Sequence, residues 1–302
     1  MSTLEQNIRQ TLDLLLPHIQ KRHKESPDNP IILGITGLQG SGKSTWASTL
    51  VRLLTQEHDL YSITVSLDDF YKTHTELQAR RDKDPENKLY RTRGQPGTHD
   101  EHLAEEFFRK LREAPAEPKD QQQLRIPSFD KSRFNGSGDR APESQWPVIS
   151  RKPAVVVFEG WCLGFQPLPQ SLIEEKHNLA TQGRLPINTP AQHSVSHLLE
   201  VNEYLKRYCD SFMGPKHFDF FIHIDTEDLR NVYMWRLEQE SKLREEKGEG
   251  MTDEQVRRFV DGYMPSYEIY LDQLREGLFE EKGRMVRVVL DAGRKVVGRE
   301  VL

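Results

Sequence analysis

Gly37-Leu38-Gln39-Gly40-Ser41-Gly42-Lys43-Ser44 is the stretch that decides the fold. It fits the pattern G-x-x-x-x-G-K-[ST] at every specified position, and its flanks supply the strand and helix that the pattern requires. Ile31 to Ile35 precedes it as a short apolar run, the mark of a strand buried on both faces, and a helix is expected to start near Gly42. Glycines in such a loop let backbone N–H groups converge on phosphate oxygens, and the helix start adds its partial positive charge. Lys43 is then expected to reach the β and γ phosphates of ATP and Ser44 to ligate Mg2+. Gly37, Leu38, Gln39, Gly40, Ser41, Gly42 and Thr45 complete the expected cradle. A dinucleotide fingerprint, G-x-G-x-x-G, would need glycine at position 39, where this chain has Gln39, so that reading is excluded.

Outward from the loop, further strands are expected at Ser62 to Leu67, Ala154 to Phe158, Phe218 to Ile224 and Met285 to Leu290. Helical stretches separate them. The expected fold is therefore α/β of the P-loop NTPase type, a five-stranded, mainly parallel sheet with helices on both faces and a helical lid. A single kinase domain is expected to span residues 1–302. Met1 to Lys24 carries Glu5, Asp13 and leucines at helical spacing, which reads as an amphipathic N-terminal helix over 1–25 and not as a targeting peptide. Lys72 to Thr98 and Ala114 to Lys152 are rich in Pro, Gly and charge and read as two long irregular stretches of the kind that are usually functional or disordered, with one helix expected within 72–152. Gln166 to Ser196 reads as a surface insertion with little chemistry. Asp228 to Leu274 reads as a helical lid, interrupted at Lys247-Gly248-Glu249-Gly250.

The chain has 302 residues, 35% of them hydrophobic and 29% charged, with a formal net charge of -5, which fits a soluble globular protein. No basic excess points to a nucleic-acid partner, so none is expected. No apolar run reaches the roughly 18 residues of a membrane span, and no membrane partner is expected either. Cys162 and Cys209 are too few for a disulfide framework, which favours a reducing compartment and a cytoplasmic protein. The sequence is silent on oligomeric state.

A P-loop enzyme that phosphorylates a small alcohol needs a carboxylate to take the hydroxyl proton or to hold the metal. Asp68 and Asp69 follow the second strand, at the strand ends where such sheets bind ligands. Alternation along an extended chain lets one of the two face the phosphates. Asp68 is the expected base and a candidate metal ligand, and Asp69 is left to cap or to bind metal. Glu159 follows Val155-Val156-Val157-Phe158, where a supporting metal acid is expected.

Together, Gly37 to Ser44, Val65-Ser66-Leu67-Asp68-Asp69-Phe70-Tyr71 and Phe158-Glu159-Gly160 resemble the superfamily of phosphoribulokinase, uridine kinase and pantothenate kinase. Narrower strings are similar to the D-glycerate 3-kinase family: Arg93-Gly94-Gln95-Pro96-Gly97-Thr98-His99-Asp100, Phe129-Asp130-Lys131-Ser132, Gly136-Ser137-Gly138-Asp139-Arg140, Glu159 to Phe165, Trp235 to Glu240 and Met251 to Val256. The resemblance runs from about Ile31 to Leu290. It implies ATP and Mg2+ as cofactors, Asp68 as proton acceptor, Glu159 as the acid after the third strand and Arg236 as a lid arginine meeting the phosphates. It also implies transfer to a hydroxyl of D-glycerate.

The residues agree with a small anionic acceptor. A carboxylate needs a cationic, preferably bidentate partner, and the loops supply Arg93, Lys131, Arg133 and Arg140, with His99, Asp100 and Asp130 suited to gripping hydroxyl groups. Arg93, His99, Asp100, Asp130, Lys131 and Arg140 are the expected substrate ligands. Two alternatives stay open: a kinase for another small alcohol of the nucleoside or pantothenate kind, and an ATP-binding protein without catalysis.

Overall fold

The computed structural model describes residues 2–116, 123–248 and 250–302. Residues 117–122 of the second irregular stretch and Glu249 of the expected lid interruption lie outside them. In chain order the elements are α1 (Thr3–Glu25), β1 (Ile31–Gly37), α2 (Lys43–Glu57), β2 (Ser62–Ser66), α3 (His74–Lys83), α4 (Glu101–Glu113), β3 (Phe129–Asp130), β4 (Asp139–Arg140), β5 (Val155–Gly160), α5 (Gln170–Thr181), α6 (Val195–Tyr208), β6 (Phe220–Thr226), α7 (Asn231–Lys247), α8 (Asp253–Asp261), α9 (Met264–Glu276), β7 (Met285–Leu290) and β8 (Val296–Val301).

The central sheet runs β2-β5-β1-β6-β7-β8, with its first five strands parallel and β8 antiparallel to β7. Every residue of β1, β5 and β6 is buried, as expected of strands covered on both faces. α1 buries Ile8, Thr11, Leu12, Leu15 and Ile19, spaced along one helical stripe, and Ser2 caps it by accepting the Glu5 N–H at 3.2 Å. Its polar flank is tied down by Arg52 on Glu5 at 2.7 Å and by Arg299 of β8 on Asn7 Oδ1 at 2.6 Å.

Four expectations are corrected. The sheet has six strands, not five, because Val296–Val301 returns along β7 after a turn in which Asp291 and Lys295 pair and Arg294 takes a left-handed φ of 60°. β8 is half-exposed and carries Arg299 and Glu300, so no apolar run marks it. The stretch after Lys72 is not irregular throughout, since it holds α3. This helix buries nothing and shows no hydrophobic period, but Thr73 and Glu76 form a reciprocal capping box at its start. The lid does not extend to Leu274: α9 is buried on all sides, from Met264 through Leu271, and belongs to the core. The segment 166–196 is no loose insertion. The buried Glu268 of α9 accepts the N–H groups of Ile187, Asn188 and Thr189 and the Thr189 hydroxyl, all within 2.8 Å, and Ile173 of α5 is fully buried.

Candidate active site

Parallel pairing brings the carboxyl ends of β1, β2 and β5 to one edge of the sheet. Glu159 of β5 stands in register with Ile35 on one side and Ser66 on the other. Just beyond that row, β1 enters the phosphate loop and β2 enters a single 3-10 turn, Leu67–Phe70. Glu159, the loop and the turn's carboxylates therefore meet with little intervening chain.

The loop's shape depends on Gly40 and Gly42, which hold left-handed φ values of 82° and 88°. A side chain is strained in that region, and at Gly40 a Cβ would also lie 2.6 Å from the Cβ of Trp235 on α7. Gly42 caps α2 without a side chain, its carbonyl accepting from Thr45 and Trp46 at 2.9 and 3.1 Å, so the helix start opens toward the cleft. Leu38, Gln39, Gly40, Gly42, Lys43, Ser44 and Thr45 line a cleft of about 460 Å³. Gly37 and Ser41 sit behind it, packed on each other.

Lys43 Nζ lies 2.7 Å from Glu159 Oε2, and the other Glu159 oxygen accepts from the Ser66 hydroxyl at 2.7 Å. The turn after β2 separates its two aspartates. Asp69 folds back to accept the Ser66 N–H at 3.1 Å while Ser66 Oγ accepts the Asp68 N–H, so Asp69 closes a capping box. Burial pushes the Asp69 carboxyl up to about 7, against the pull of the Ser66 N–H and aided by repulsion from Asp68. Asp68 points into the cleft and is ion-paired with Lys131. Burial alone would raise its carboxyl; the Lys131 charge and hydrogen bond, with Lys43 behind them, outweigh burial and hold it at about 2.

Of the expected acceptor ligands, Lys131 lines the cleft and the others do not. Arg93 donates from Nη1 to the carbonyls of Gly136 and Ser137, both at 2.7 Å, and lies over the Phe129 ring. His99 is fully buried, stacked on Tyr71 at 4.4 Å, with Nδ1 3.1 Å from the Tyr208 hydroxyl; burial pushes its imidazole down to about 3. Asp100 caps α4 through the Leu103 N–H and takes Arg140 Nη2 at 2.8 Å. Burial would raise the Asp100 carboxyl, but those two partners hold it below the usual range. Arg140 also donates to the Tyr71 carbonyl at 3.1 Å. Asp130 accepts the backbone N–H and hydroxyl of Ser132 at 2.9 and 2.6 Å, closing a local turn.

Arg236, on α7, does line the cleft, clamped by Gln239 Oε1 at 2.8 Å and Glu240 Oε2 at 3.1 Å and lying over the Phe259 ring of α8. Glu240 also accepts the Met251 N–H at 2.9 Å, which ties α7 to the residues just before α8. Wall residues that escaped the sequence reading include Arg294, Tyr71, Trp161 and Tyr263. Arg294 donates to Gly40 O at 2.7 Å and Trp235 O at 3.1 Å and pairs with Glu238, tying the phosphate loop to α7. Its position just past β7, on the ligand-binding edge, was the available signal. Trp161 donates to Gly94 O at 3.0 Å, and Tyr263 stands so close to Gly94 that a Cβ there would lie 2.5 Å from its hydroxyl. Gly94 thus lets Tyr263 close the wall beside Trp161.

No family model matches the chain. It is 37% identical over 284 residues to the kinase mug58 of Schizosaccharomyces pombe, an alignment that covers 94% of this chain and 95% of that one. It is 34% identical to the chloroplastic D-glycerate 3-kinase of Arabidopsis thaliana over 81% of its own length and 48% of the plant protein. Its structure is similar to that of a D-glycerate 3-kinase from Cryptococcus neoformans, with a TM-score of 0.84 and 32% identity, covering 98% of this chain and 99% of that one. No described helix is long and apolar enough to cross a membrane. With the phosphate loop, Glu159 and Arg236 lining one cleft beside a parallel sheet, the chain belongs to the D-glycerate 3-kinase family of P-loop kinases.

Proposed function

We propose that the cleft transfers the γ-phosphoryl group of ATP to a hydroxyl of D-glycerate, giving 3-phosphoglycerate and ADP. The observation that carries this reading is the meeting of Asp68 and Lys131 in the same cleft as the phosphate loop. A proton acceptor, a receiver for a carboxylate and a phosphate cradle then share one space. In the transfer, the acceptor hydroxyl gives its proton to Asp68 as its oxygen bonds to the γ-phosphorus. The bond from that phosphorus to the β,γ-bridging oxygen breaks, and ADP leaves with the electron pair.

The loop N–H groups and Lys43 hold the β and γ phosphates, and Arg236 turns from Gln239 and Glu240 to the γ-phosphoryl as α7 and α8 close over it. Closure also excludes water, which would otherwise hydrolyse ATP. Ser44, Asp68 and Glu159 fit a nucleotide-borne Mg2+. They are oxygen donors around Lys43, and Glu159 Oε2 is buried with no hydrogen bond beside its ion pair. Mg2+ is commonly held by one or two carboxylates plus phosphates. The chemistry such an ion supplies is neutralisation of charge on the phosphates. A cytoplasmic location is supported by Cys162 and Cys209, both buried and unpaired.

ADP release measured across D-glycerate, uridine, pantothenate and ribulose 5-phosphate tests the assignment. D-glycerate is expected to give the highest kcat/KM. Preferential turnover of uridine or pantothenate would replace the acceptor, and no turnover with any of them would leave a nucleotide-binding protein.

A further inference from the structure

The loops that carry the acceptor-side charges offer Arg93, Lys131, Arg133 and Arg140, and the structure commits three of them to the scaffold. Arg93 holds two carbonyls of the loop between β3 and β4, Arg133 pairs with Asp139 at 3.0 Å, and Arg140 joins Asp100 to the Tyr71 carbonyl. Lys131 differs in place and in partner. It reaches the cleft, its side chain is 57% exposed, and its ammonium is paired with Asp68, the carboxylate that the transfer needs. The backbone under it is fixed by the Asp130–Ser132 turn and by the β3–β4 pairing, so the exposed side chain can swing from a rigid base.

We propose that Lys131 is a specificity-determining gate: it masks Asp68 until the carboxylate of a hydroxy acid draws its ammonium away. This rests on the reading of the cleft as a hydroxy-acid kinase. One ammonium cannot centre on both anions, although its three donors let it pass from one to the other without losing a partner. An acceptor that brings its own carboxylate offers Lys131 a replacement and leaves Asp68 open to the hydroxyl. A neutral polyol brings no replacement, and water brings none, so Asp68 stays covered against both. Because Lys131 starts in contact with Asp68, the gate also favours acceptors whose carboxylate and reacting hydroxyl lie within a few carbon atoms of each other.

The experiment compares D-glycerate with glycerol, which keeps the hydroxyl groups and lacks the carboxylate, in the wild-type protein and in Lys131→Gln and Lys131→Arg. Lys131→Gln is expected to lower kcat/KM for D-glycerate about 100-fold, the scale of a lost charge-assisted contact. The same variant is expected to raise kcat/KM for glycerol and the rate of ATP hydrolysis without acceptor, each by about threefold or more. Lys131→Arg keeps the charge and is expected to restore most of the preference for D-glycerate. Equal loss on D-glycerate and glycerol in Lys131→Gln would overturn the gate, since Lys131 would then serve every acceptor alike. An unchanged D-glycerate rate would overturn it too. If the wild-type protein turned over no hydroxy acid at all, the reading of the cleft would fall and the gate with it, a result distinct from either of those.

Discussion

The phosphate loop and the acceptor loops face each other across one cleft, and they use their residues in opposite ways. In the loop from Gly37 to Ser44 the work falls to backbone N–H groups and one lysine, and the residues that the pattern names are the residues that line the cleft or pack directly behind it. In the acceptor loops the charged side chains mostly hold the loops themselves. Arg93 and Arg140 find their partners 43 and 40 residues away, and Lys131 reaches Asp68 across 63. A backbone motif carries its geometry in consecutive residues. A side-chain site does not, because which charge meets the ligand depends on how distant segments are pinned.

The largest expected effect falls at the junction of the two regions. Asp68→Asn is expected to lower kcat about 10³-fold, within the range for a lost general base, with KM for ATP and the melting temperature little changed. A kcat within tenfold of wild type would remove Asp68 from the chemistry and break the link between the two sides. On the loop side, Lys43→Ala is expected to cost between about 10² and 10³ in kcat, as for loss of one preorganised donor, and to raise KM for ATP in steady-state kinetics. An effect on KM alone would make Lys43 a ground-state contact only.

Acceptor-side substitutions sharpen the contrast. Arg140→Ala removes a bridge between Asp100 and the Tyr71 carbonyl and is expected to lower stability by about 1–3 kcal/mol in denaturant unfolding. The KM for D-glycerate should rise less than about tenfold. A rise near 100-fold with stability intact would make Arg140 a ligand and erase the difference drawn above. Smallest of all should be Thr73→Ala, which removes the cap of α3. Its cost is expected at about 1 kcal/mol or less with both KM values unchanged, because α3 buries nothing.

What could be read in the sequence follows the same division. The buried strands β1, β5 and β6 announce themselves as apolar runs, and the phosphate loop as a spacing of glycines. β8 and α3 do not, since one is a polar edge and the other an exposed helix whose sign was the Thr73–Glu76 box. The segment from 166 to 196 reads as surface because its anchor, Glu268, lies on another helix 79 residues from Thr189. At the site, Lys43 was legible from the loop pattern and Asp68 and Glu159 as acids at strand ends, while Arg236 came from the family resemblance. That Lys131 and not Arg93 faces Asp68 was not legible, because it depends on Arg93 being consumed by the Gly136 and Ser137 carbonyls. Arg294 was hidden for a related reason, as its contacts are to the carbonyls of Gly40 and Trp235.

The central claim is that the two sides act together on one phosphoryl group. Phosphorus NMR of the wild-type protein with ATP, Mg2+ and D-glycerate tests it most directly. The account predicts that the γ-phosphorus signal is replaced by a phosphomonoester of glycerate at carbon 3, appearing in step with ADP. Inorganic phosphate in place of the ester, or an ATP spectrum that does not change, would contradict it.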